Sequence, residues 1–438
     1  IDVVTKAYAD TCADIIDADN DDAVISDGNV KVEAKHEVGI SSTVVGATTG
    51  GVNVGAAVDV ANVVSQTNAF VGNNAIVKTA GNLDVIASEL GKDITYKVKN
   101  ENGIEETKTA NMVSHTAAGS ISGLTVSGSV SVYSFGSGMT EEDAKLLNTN
   151  SNGNKHTNSG GYEISFDDWL NGQLDQSSTD KAMGEYKGNT VANSIGSKLG
   201  ERNLSTTVTT KPNNNTSKTT VSTAGGEGTI AKIGSGAKVN AANVTVKADS
   251  DIEMDSNVGT GVAGVIAAGA SVGVVNNNTK ISAIVDNSAE IIATSDVLVQ
   301  ANSLSKLNGL SVAPGVGLFV GAAAAMDLNS NTKVTTSIAN SAKLDGNNIT
   351  IEANNTPVLN ARSTGAYAGL VSAVGAVTAL VDSEDDAIVN IGDSVNLDAD
   401  EKIKITAENK KYSFQNNSDD FKYNYYVKAE AGSGGVVT

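Results

Sequence analysis

Short segments in which polar and apolar residues alternate recur along the chain, and each of them ends in alanine. One of these segments is Asn243-Val244-Thr245-Val246-Lys247-Ala248. The six copies end at Ala34, Ala87, Ala248, Ala301, Ala353 and Ala407. The step between copies is about 53 residues, except that the step from Ala87 to Ala248 is about three times as long. Strict alternation predicts a β-strand with one buried face, and a fixed period predicts units that bury this face against their neighbours.

Each unit continues with a run of glycine, alanine and valine, then a corner rich in asparagine and threonine, then another short strand. The runs span 44–60, 117–133, 258–275, 310–326 and 366–381. The corner occurs as Asn276-Asn277-Asn278-Thr279-Lys280 and again as Asn329-Ser330-Asn331-Thr332-Lys333, so that Thr279 and Thr332 are separated by the same step. The period therefore belongs to the whole unit.

These patterns predict an all-β fold, a β-solenoid, in which the chain coils about an axis and stacks parallel strands rung on rung. We expect each repeat to form two rungs of about 26 residues, so that about 12 rungs make a rod about 60 Å long. Val244, Val246 and Ala248 are expected to point inward, and Thr245 and Lys247 outward. Asparagines at successive corners are expected to form side-chain amide ladders.

The long step between Ala87 and Ala248 is predicted to hold two insertions within two ordinary units. One is 88–111, with about 20 extra residues, and the other is 137–228, with about 90. This divides the chain into solenoid repeats over 1–136, an extruded insertion over 137–228 and further repeats over 229–438. A smaller insertion, 412–426, interrupts the last unit.

The large insertion differs from the repeats in composition. It holds the only tryptophan of the chain, Trp169, and a helix signal at 140–147 in which Thr140 and Asp143 resemble a capping box. Its end, 206–223, is rich in Asn, Thr and Lys. We therefore expect an insertion that is partly helical and partly flexible and that projects sideways from a corner.

Charge and cysteine content exclude several classes of protein. Fifty acidic residues against 30 basic ones give a net charge of -20, which repels nucleic acid and anionic lipid. Cys12 is the only cysteine, which excludes an internal disulfide framework and a multi-cysteine zinc site. The chain begins at Ile1 and ends in a glycine-rich run, so we expect it to be a segment of a longer protein.

The glycine, alanine and valine runs allow a second interpretation. Val258 to Val275 contains no charged residue over about 18 positions, which reaches the lower limit for a membrane-spanning helix. Glycine and β-branched residues alternate in these runs, and flanking basic anchors are lacking. Buried strands are therefore the preferred interpretation, and we predict no membrane span.

Two motifs typical of enzymes occur within one run. Residues 259–264 match a dinucleotide-binding fingerprint, with Asp286 about 22 residues further on, and 269–273 match a nucleophile elbow. Both motifs must open a helix, whereas these residues lie inside a repeated strand pattern. We therefore predict that the chain is not an enzyme.

The three histidines support the same prediction. His36, His115 and His156 fall in different units without a common spacing, so no general base for a serine nucleophile is evident. We expect these histidines to be exposed to solvent.

Acidic residues provide two further candidate sites. Asp17, Asp19 and Asp21 place carboxylates at alternate positions, as in a calcium loop, although Asp22 and Gly28 stand where an EF-hand has Gly and Glu. Calcium is therefore the one candidate cofactor, against a solvated acidic corner. Asp167-Asp168 beside Trp169 could imitate a sugar-binding acid site, but adjacent carboxylates point apart.

The tandem units, with Val-x-Val-x-Ala strands, Gly/Ala/Val runs and Asn-Thr-Lys corners, resemble the large repetitive exoproteins of Gram-negative bacteria. The resemblance is to leukotoxin-type and haemagglutinin-like filamentous adhesins. It implies a right-handed parallel β-helix, an extracellular location at the cell surface, and attachment to host cells, matrix or other bacteria. It carries no catalytic signature.

We expect ligand contact to come from the large insertion, because aromatic residues anchor interfaces. The candidate residues are Trp169, Tyr162, Phe166 and Tyr186. Expected partners are a host protein or glycan, or a neighbouring bacterial surface, and exposed terminal rungs could associate end to end. The alternatives are a polysaccharide-active solenoid enzyme, which the presence of only two arginines disfavours, and a purely structural surface filament.

Overall fold

The computed structural model describes residues 2–9, 14–15, 28–99, 105–136, 228–410 and 425–435, together with four two-residue strands between 156 and 222. Within these residues the fold is all-β and contains no helix, and most strands pair in parallel. The predicted all-β class is confirmed. The helix expected at 140–147 lies outside the described residues.

The strands are numbered in chain order. The first twelve are β1 (Asp2–Ala9), β2 (Asp14–Ile15), β3 (Val30–Val38), β4 (Ile40–Val71), β5 (Ile76–Lys78), β6 (Leu83–Gly91), β7 (Ile94–Lys99), β8 (Glu105–Ala110), β9 (Met112–Gly136), β10 (His156–Thr157), β11 (Glu163–Ile164) and β12 (Thr206–Thr207). The others are β13 (Val221–Ser222), β14 (Thr229–Ile233), β15 (Lys238–Ala241), β16 (Val244–Asn278), β17 (Lys280–Val285), β18 (Glu290–Ala293), β19 (Asp296–Ser330), β20 (Lys333–Ile338), β21 (Lys343–Ser383), β22 (Asp386–Ile391), β23 (Asn396–Asn409) and β24 (Tyr425–Gly435).

Eighteen of the strands form six stacked layers, with one repeat to each layer. Layer 1 contains β1 to β3 and most of β4, and layer 2 contains the end of β4, β5, β6 and β9. Layers 3 and 4 are β14–β16 and β17–β19, layer 5 is β20 and β21, and layer 6 is β22–β24. Val244 pairs with Val297, and Val297 pairs with Ile349, so the parallel register advances by one whole repeat at each step.

This register corrects the expected two rungs per repeat, because each repeat forms a single layer. The reason is the behaviour of the glycine, alanine and valine run, which folds back on itself instead of forming a second rung. In layer 3 the chain runs outward over 252–263, turns at Gly264 and Val265, and returns over 266–278, so that Thr260 Oγ1 donates to the Ala270 carbonyl over 2.6 Å. We call these two stretches the outgoing arm and the return arm.

The layers enclose two apolar regions. The first lies between the short strands of each layer and the strand that leads to the arms, and it includes Val246, Ala283 and Ile291, all fully buried. The second lies between the arms and includes Met254, Val275 and Leu307. The predicted inward positions are confirmed, because Val244, Val246 and Ala248 are buried while Thr245 and Lys247 are partly exposed.

One corner has the same backbone geometry in five layers. The third residue of a four-residue turn has a φ of 54° to 67°, at Asn74, Gly236, Ser288, Ser341 and Ser394. In layer 4 the turn closes with a hydrogen bond from the Ala289 N–H to the Asp286 carbonyl, 3.2 Å long. In layers 2 to 5 the residue that follows is a buried alanine, as Ala289 illustrates, whereas in layer 6 it is Val395, which is partly buried. A small residue is needed in layers 2 to 5 because the next layer lies directly above it.

The predicted corner ladders are present. Asn243 donates through Nδ2 to Asn82 Oδ1 in the layer below, 2.8 Å away, and its Oδ1 accepts from the Asp296 N–H in the layer above, 3.1 Å away. Asn348 continues the column by donating to Asp296 Oδ1 over 2.9 Å. Each bond links equivalent positions one layer apart, so the ladders help to fix the register.

The register also shows where extra residues leave the stack. Leu90 pairs with Asp251 and Met112 with Met254, so layer 2 has a much longer stretch than layer 3 between these two pairs. Within this stretch β7 and β8 form an antiparallel hairpin. Similarly, Gly136 pairs with Asn278 and Thr229 with Ile281, so the large insertion also begins and ends between two paired positions.

No helix within the described residues has the length and apolar character needed to cross a membrane. The run 258–275, which the sequence offered as an alternative span, lies within β16.

The ladder predicts a measurable effect on stability. Asn243→Ala removes the bonds to both neighbouring layers, and each net hydrogen bond contributes about 0.5–1.5 kcal/mol. We expect the free energy of unfolding in urea to fall by about 1–2 kcal/mol. The control is Thr245→Ala, which changes an outward side chain of the same strand and leaves the ladder intact. Equal losses in the two variants would contradict a stabilising ladder.

A second prediction concerns the buried carboxyl of Asp255, which is 7% exposed and accepts a hydrogen bond from Asn308. Burial raises the pKa of Asp255 from its ordinary 3.8 to about 6. The folded state therefore binds a proton more tightly than the unfolded state. The free energy of unfolding therefore falls as the pH rises from about 4 to 6, and the full loss caused by the buried Asp255 charge is reached above pH 6.

We expect Asp255→Asn to stabilise the protein at pH 7 by about 1–3 kcal/mol, because it removes the buried charge and keeps an amide that can bond Asn308. The gain should shrink as the pH falls to 4.5. Urea unfolding of both proteins at the two pH values measures this difference. A gain that is the same at both values would show that ionisation of Asp255 does not cause it.

Candidate binding face

The outgoing arms of successive layers form one sheet whose outer side chains face away from the return arms. We call the outer side chains of the first four layers the outer face. In layers 1 and 2 they are Thr43, Val45, Ala47, Thr49, His115, Ala117, Gly119 and Ile121. In layers 3 and 4 they are Asn257, Gly259, Gly261, Ala263, Leu310, Val312, Pro314 and Val316.

The outer face carries no Asp, Glu, Lys or Arg. The arms behind it are almost as free of charge, since no such residue occurs between Glu37 and Asp59 or between Asp255 and Lys280. By contrast, the strand that leads into the arms of layer 3 carries Lys247, whose Nζ lies 2.8 Å from Asp249 Oδ2. Charge is therefore segregated within the first four layers.

The outer face has a groove that runs along the strands. Its floor is made by the small residues of layers 2 and 3, including Gly119, Gly259 and Gly261. Its walls are layer 1, where Val45 is 70% exposed, and layer 4, where Val316 is 58% exposed. Two adjoining cavities of about 400 and 270 Å³ lie in this groove. The groove could not be predicted from the sequence, because it depends on which residues the register between repeats brings side by side.

The basal end of the groove, where the outgoing arms begin, contains one titratable group. His115 is half-buried, and burial lowers its pKa below the ordinary 6.5, so its imidazole is neutral at pH 7. Its ring contacts Tyr96 of the β7–β8 hairpin edge to face, with centroids 5.4 Å apart. The hairpin therefore borders the outer face at this end.

The distal end of the groove, near the turns between the arms, is apolar. Ile121 is 66% exposed there, and Val265 at the turn between the arms is 50% exposed. Leu370, next to the same turn in layer 5, is 59% exposed. Contiguous exposed aliphatic side chains of this kind mark surfaces of interaction in soluble proteins. The outer face and the tips of the arms form such a surface.

The space between the arms contains a buried polar network. Ser114 donates to Asp59 Oδ2 over 2.7 Å, and the Tyr133 hydroxyl donates to the same oxygen over 3.1 Å. Ser131 lies 2.8 Å from the Ser114 hydroxyl. Burial and the Asp59 carboxylate raise the pKa of Tyr133 well above its ordinary value. All four side chains are at most 5% exposed, so we assign the network a structural role.

A second buried cluster contains histidine, serine and glutamate. His36 Nδ1 lies 3.1 Å from Ser65 Oγ and 3.9 Å from Glu89 Oε1. A catalytic triad needs the hydroxyl and the carboxylate on opposite ring nitrogens, whereas both lie at Nδ1 here. Ser65 and Glu89 are also 1% exposed, so substrate cannot reach them. This geometry does not support catalysis.

The expectation that the histidines are exposed is wrong for His36, which is 9% exposed. It occupies an inward position of β3, directly between the buried residues Ala34 and Val38. His115 is half-buried, and the side chain of His156 lies outside the described residues.

The two enzyme-like motifs lie in extended strand. Residues 259–264 belong to the outgoing arm of β16, and Ser271 of the second motif lies in its return arm. Ser271 is fully buried, and its hydroxyl lies 2.7 Å from Ser311 Oγ. Neither motif opens a helix, which is the context that its chemistry requires.

The site residues predicted from the sequence lie outside the described residues. This holds for the calcium candidates Asp17, Asp19 and Asp21 and for the aromatic candidates Trp169, Tyr162, Phe166 and Tyr186. Among the residues that the structure does describe, no group of three or more His, Cys, Asp or Glu could hold a metal ion.

Comparisons with known proteins give no assignment: no family model, curated protein or solved structure matches the chain.

Two glycines of one arm provide a test of the groove. A Cβ added at Gly261 would meet no atom within 4 Å, whereas one at Gly264 would lie 2.2 Å from the Ser122 carbonyl oxygen. We expect Gly261→Val to change the free energy of unfolding by less than about 0.5 kcal/mol. Gly264→Val should cost about 1–3 kcal/mol because the layers must move apart. Denaturant unfolding compares them, and a similar large loss in both would show that the groove floor is not open.

Proposed function

We propose that this chain is a segment of a secreted filamentous adhesin at a bacterial cell surface, in which the layers belong to a right-handed parallel β-helix. Adhesion is the function that an extended, uncharged, exposed face built from successive repeats supports best. The observation that carries the proposal is the outer face, because none of its sixteen positions is charged although the chain has a net charge of -20.

The dimensions of the stack change how such an adhesin would work. Six layers at about 4.8 Å per step span about 24 Å, less than half of the length of about 60 Å expected from two rungs per repeat. Each repeat therefore adds little length. It adds breadth instead, because two arms of about ten residues project about 30 Å from the axis. The broad surface formed by the arms therefore supports adhesion better than the length of the stack alone.

The groove disfavours the alternative of a polysaccharide-active enzyme. Such an enzyme needs carboxylates and basic residues along the substrate, and the groove floor is glycine and alanine. Arg362, one of the two arginines of the chain, lies over the Tyr426 ring with its guanidinium carbon 5.2 Å from the centroid. A purely structural surface filament is the remaining alternative, and it differs from an adhesin in having no ligand.

Deletion of the large insertion tests which part of the proposed adhesin makes the ligand contact, the aromatic residues of the insertion or the outer face. In layer 3 the residues equivalent to Gly136 and Thr229 are joined by only Thr279 and Lys280. Residues 137–228 can therefore be replaced by Thr-Lys without breaking the register. We expect this variant to lose binding to host-cell or matrix ligands on an array while retaining the β-sheet circular dichroism and the melting temperature of the parent.

The control is the full chain carrying Asn243→Ala, which perturbs a corner of the stack and leaves the insertion in place. Its ligand binding should be unchanged below its melting temperature. Binding that survives the deletion would reject the insertion as the contact region. Absence of any ligand for the full chain would favour the structural filament.

A further inference from the structure

We infer that the outer face pairs with the outer face of a second copy of this chain, with the two stacks running in opposite directions. This dimer deepens the proposed function, and only its location at a cell surface rests on that function. The partner follows from the relief, the charge and the area of the face.

The relief of the outer face is complementary to itself. Large side chains form ridges on layers 1 and 4, where Val45 and Val316 are more than half exposed. Small residues form depressions on layers 2 and 3, as at Gly119 and Gly261, except at the distal end of layer 2, where Ile121 is 66% exposed. A further depression lies on layer 5, where Thr364, Ala366 and Ala368 are in register with layer 4. Ridge and depression therefore alternate along the stack.

A twofold axis that lies in the plane of the face, parallel to the strands and between layers 3 and 4, places the layer 4 ridge of each copy over layer 3 of the other. The same operation sets layer 2 over layer 5, which places Ile121 over Ala368, and layer 1 over layer 6, which carries Glu430 and Gly432. A twofold axis along the stack would instead place layer 4 on layer 4, so that ridge meets ridge. The relief therefore selects the antiparallel arrangement.

Charge favours the outer face over other surfaces as a contact between copies. Two chains of net charge -20 repel each other, so they can approach only where charge is sparse. The ionisable groups nearest to the face lie at the basal edge of layers 5 and 6. Arg362 pairs in register with Leu310 of the outer face and lies over the Tyr426 ring, and Lys428 Nζ is paired with Glu430 Oε1 at 2.9 Å. Since the remaining repulsion is long-ranged, association should strengthen as salt is added.

The area is sufficient for a specific contact. Four outward positions along each strand and six layers across give about 27 by 24 Å, or about 650 Å² from each copy. The total of about 1,300 Å² falls within the range of stable interfaces between proteins. Burial of exposed aliphatic groups such as Ile121 and Val316 supplies the driving force.

Analytical ultracentrifugation of the full chain provides the first test. We expect a concentration-dependent dimer that tightens between 50 and 500 mM salt, as screening of like charges requires. Gly261→Glu places a charge on the groove floor, in space that is open in the single chain, and should weaken the dimer at least tenfold. Thr350→Glu adds the same charge to the same sheet, before the arms of layer 5 begin and off the outer face, and should not weaken it.

A variant of the last layer separates this contact from end-to-end association. Ile405 is 49% exposed at the open edge of the stack, whereas Ile351, its equivalent one layer below, is fully buried. Ile405→Glu should leave the dimer intact. A dimer that is lost in Ile405→Glu and survives Gly261→Glu would overturn the proposal. So would a monomer at all concentrations, which would leave a small apolar ligand as the occupant of the groove.

Cysteine cross-linking tests the antiparallel direction in a Cys12→Ser background. Gly261 lies in layer 3 next to the twofold axis, about 5 Å along the stack from its counterpart, whereas Val45 in layer 1 lies about 24 Å from its counterpart. We therefore expect Gly261→Cys to form a disulfide-linked dimer and Val45→Cys to remain monomeric on denaturing gels. Cross-linking of both variants, or of neither, would reject the arrangement. The insertion deletion remains a separate test of the adhesin proposal, because it leaves the outer face unchanged.

If the proposed function holds, antiparallel stacks suit copies that extend from two opposing cell surfaces. Copies on one surface would run in the same direction, which the relief disfavours.

Discussion

Parallel backbone pairing at a step of one repeat is the constraint on which the rest of this structure depends. Because each residue pairs with its equivalent in the next layer, every position of the repeat becomes a column through the stack. The column through Val244 continues in Val297, Ile349 and Ile403. A residue type that suits one layer then suits its neighbours, which explains why the alternating segments keep their pattern and why additional residues leave only between two paired positions.

The same constraint separates charge from apolar surface. Like charges in one column would lie about 4.8 Å apart, so charged columns must alternate in sign or pair sideways. Where the arms begin they do, as Lys306 shows by reaching Glu253 of the layer below at 3.2 Å. Further along the arms of the first four layers the columns consist mostly of glycine, alanine, valine, serine and threonine. These parts of the arms can therefore stack closely without charge compensation, and the outer face is uncharged as a consequence.

Much of the axial part could be predicted from the sequence, because strand alternation and corner asparagines are local signals that recur at one spacing. The fold-back of the arms could not. A run such as 258–275 has small residues on both sides of the strand, so the sequence pattern does not show which side faces the other arm. The left-handed corner was missed for a similar reason, since serine at Ser288, Ser341 and Ser394 is a weaker signal for positive φ than glycine. The burial of His36 was not predicted because the alternation of inward and outward side chains along its strand sets its position, and its polarity does not.

The groove shows why hydropathy alone does not reveal such a face. Its ridges and its floor are all uncharged, and what separates Val312 from Gly259, its partner in the layer below, is size. Size differences between layers have meaning only once the register is known, because residues that border the same depression lie a whole repeat apart in the sequence and, across the large insertion, further still. Since the backbone of each layer is already hydrogen-bonded to its neighbours, a partner on this face gains little from new backbone bonds. It must be recognised by shape and by the burial of aliphatic groups, and a surface with the same spacing of ridges meets that requirement.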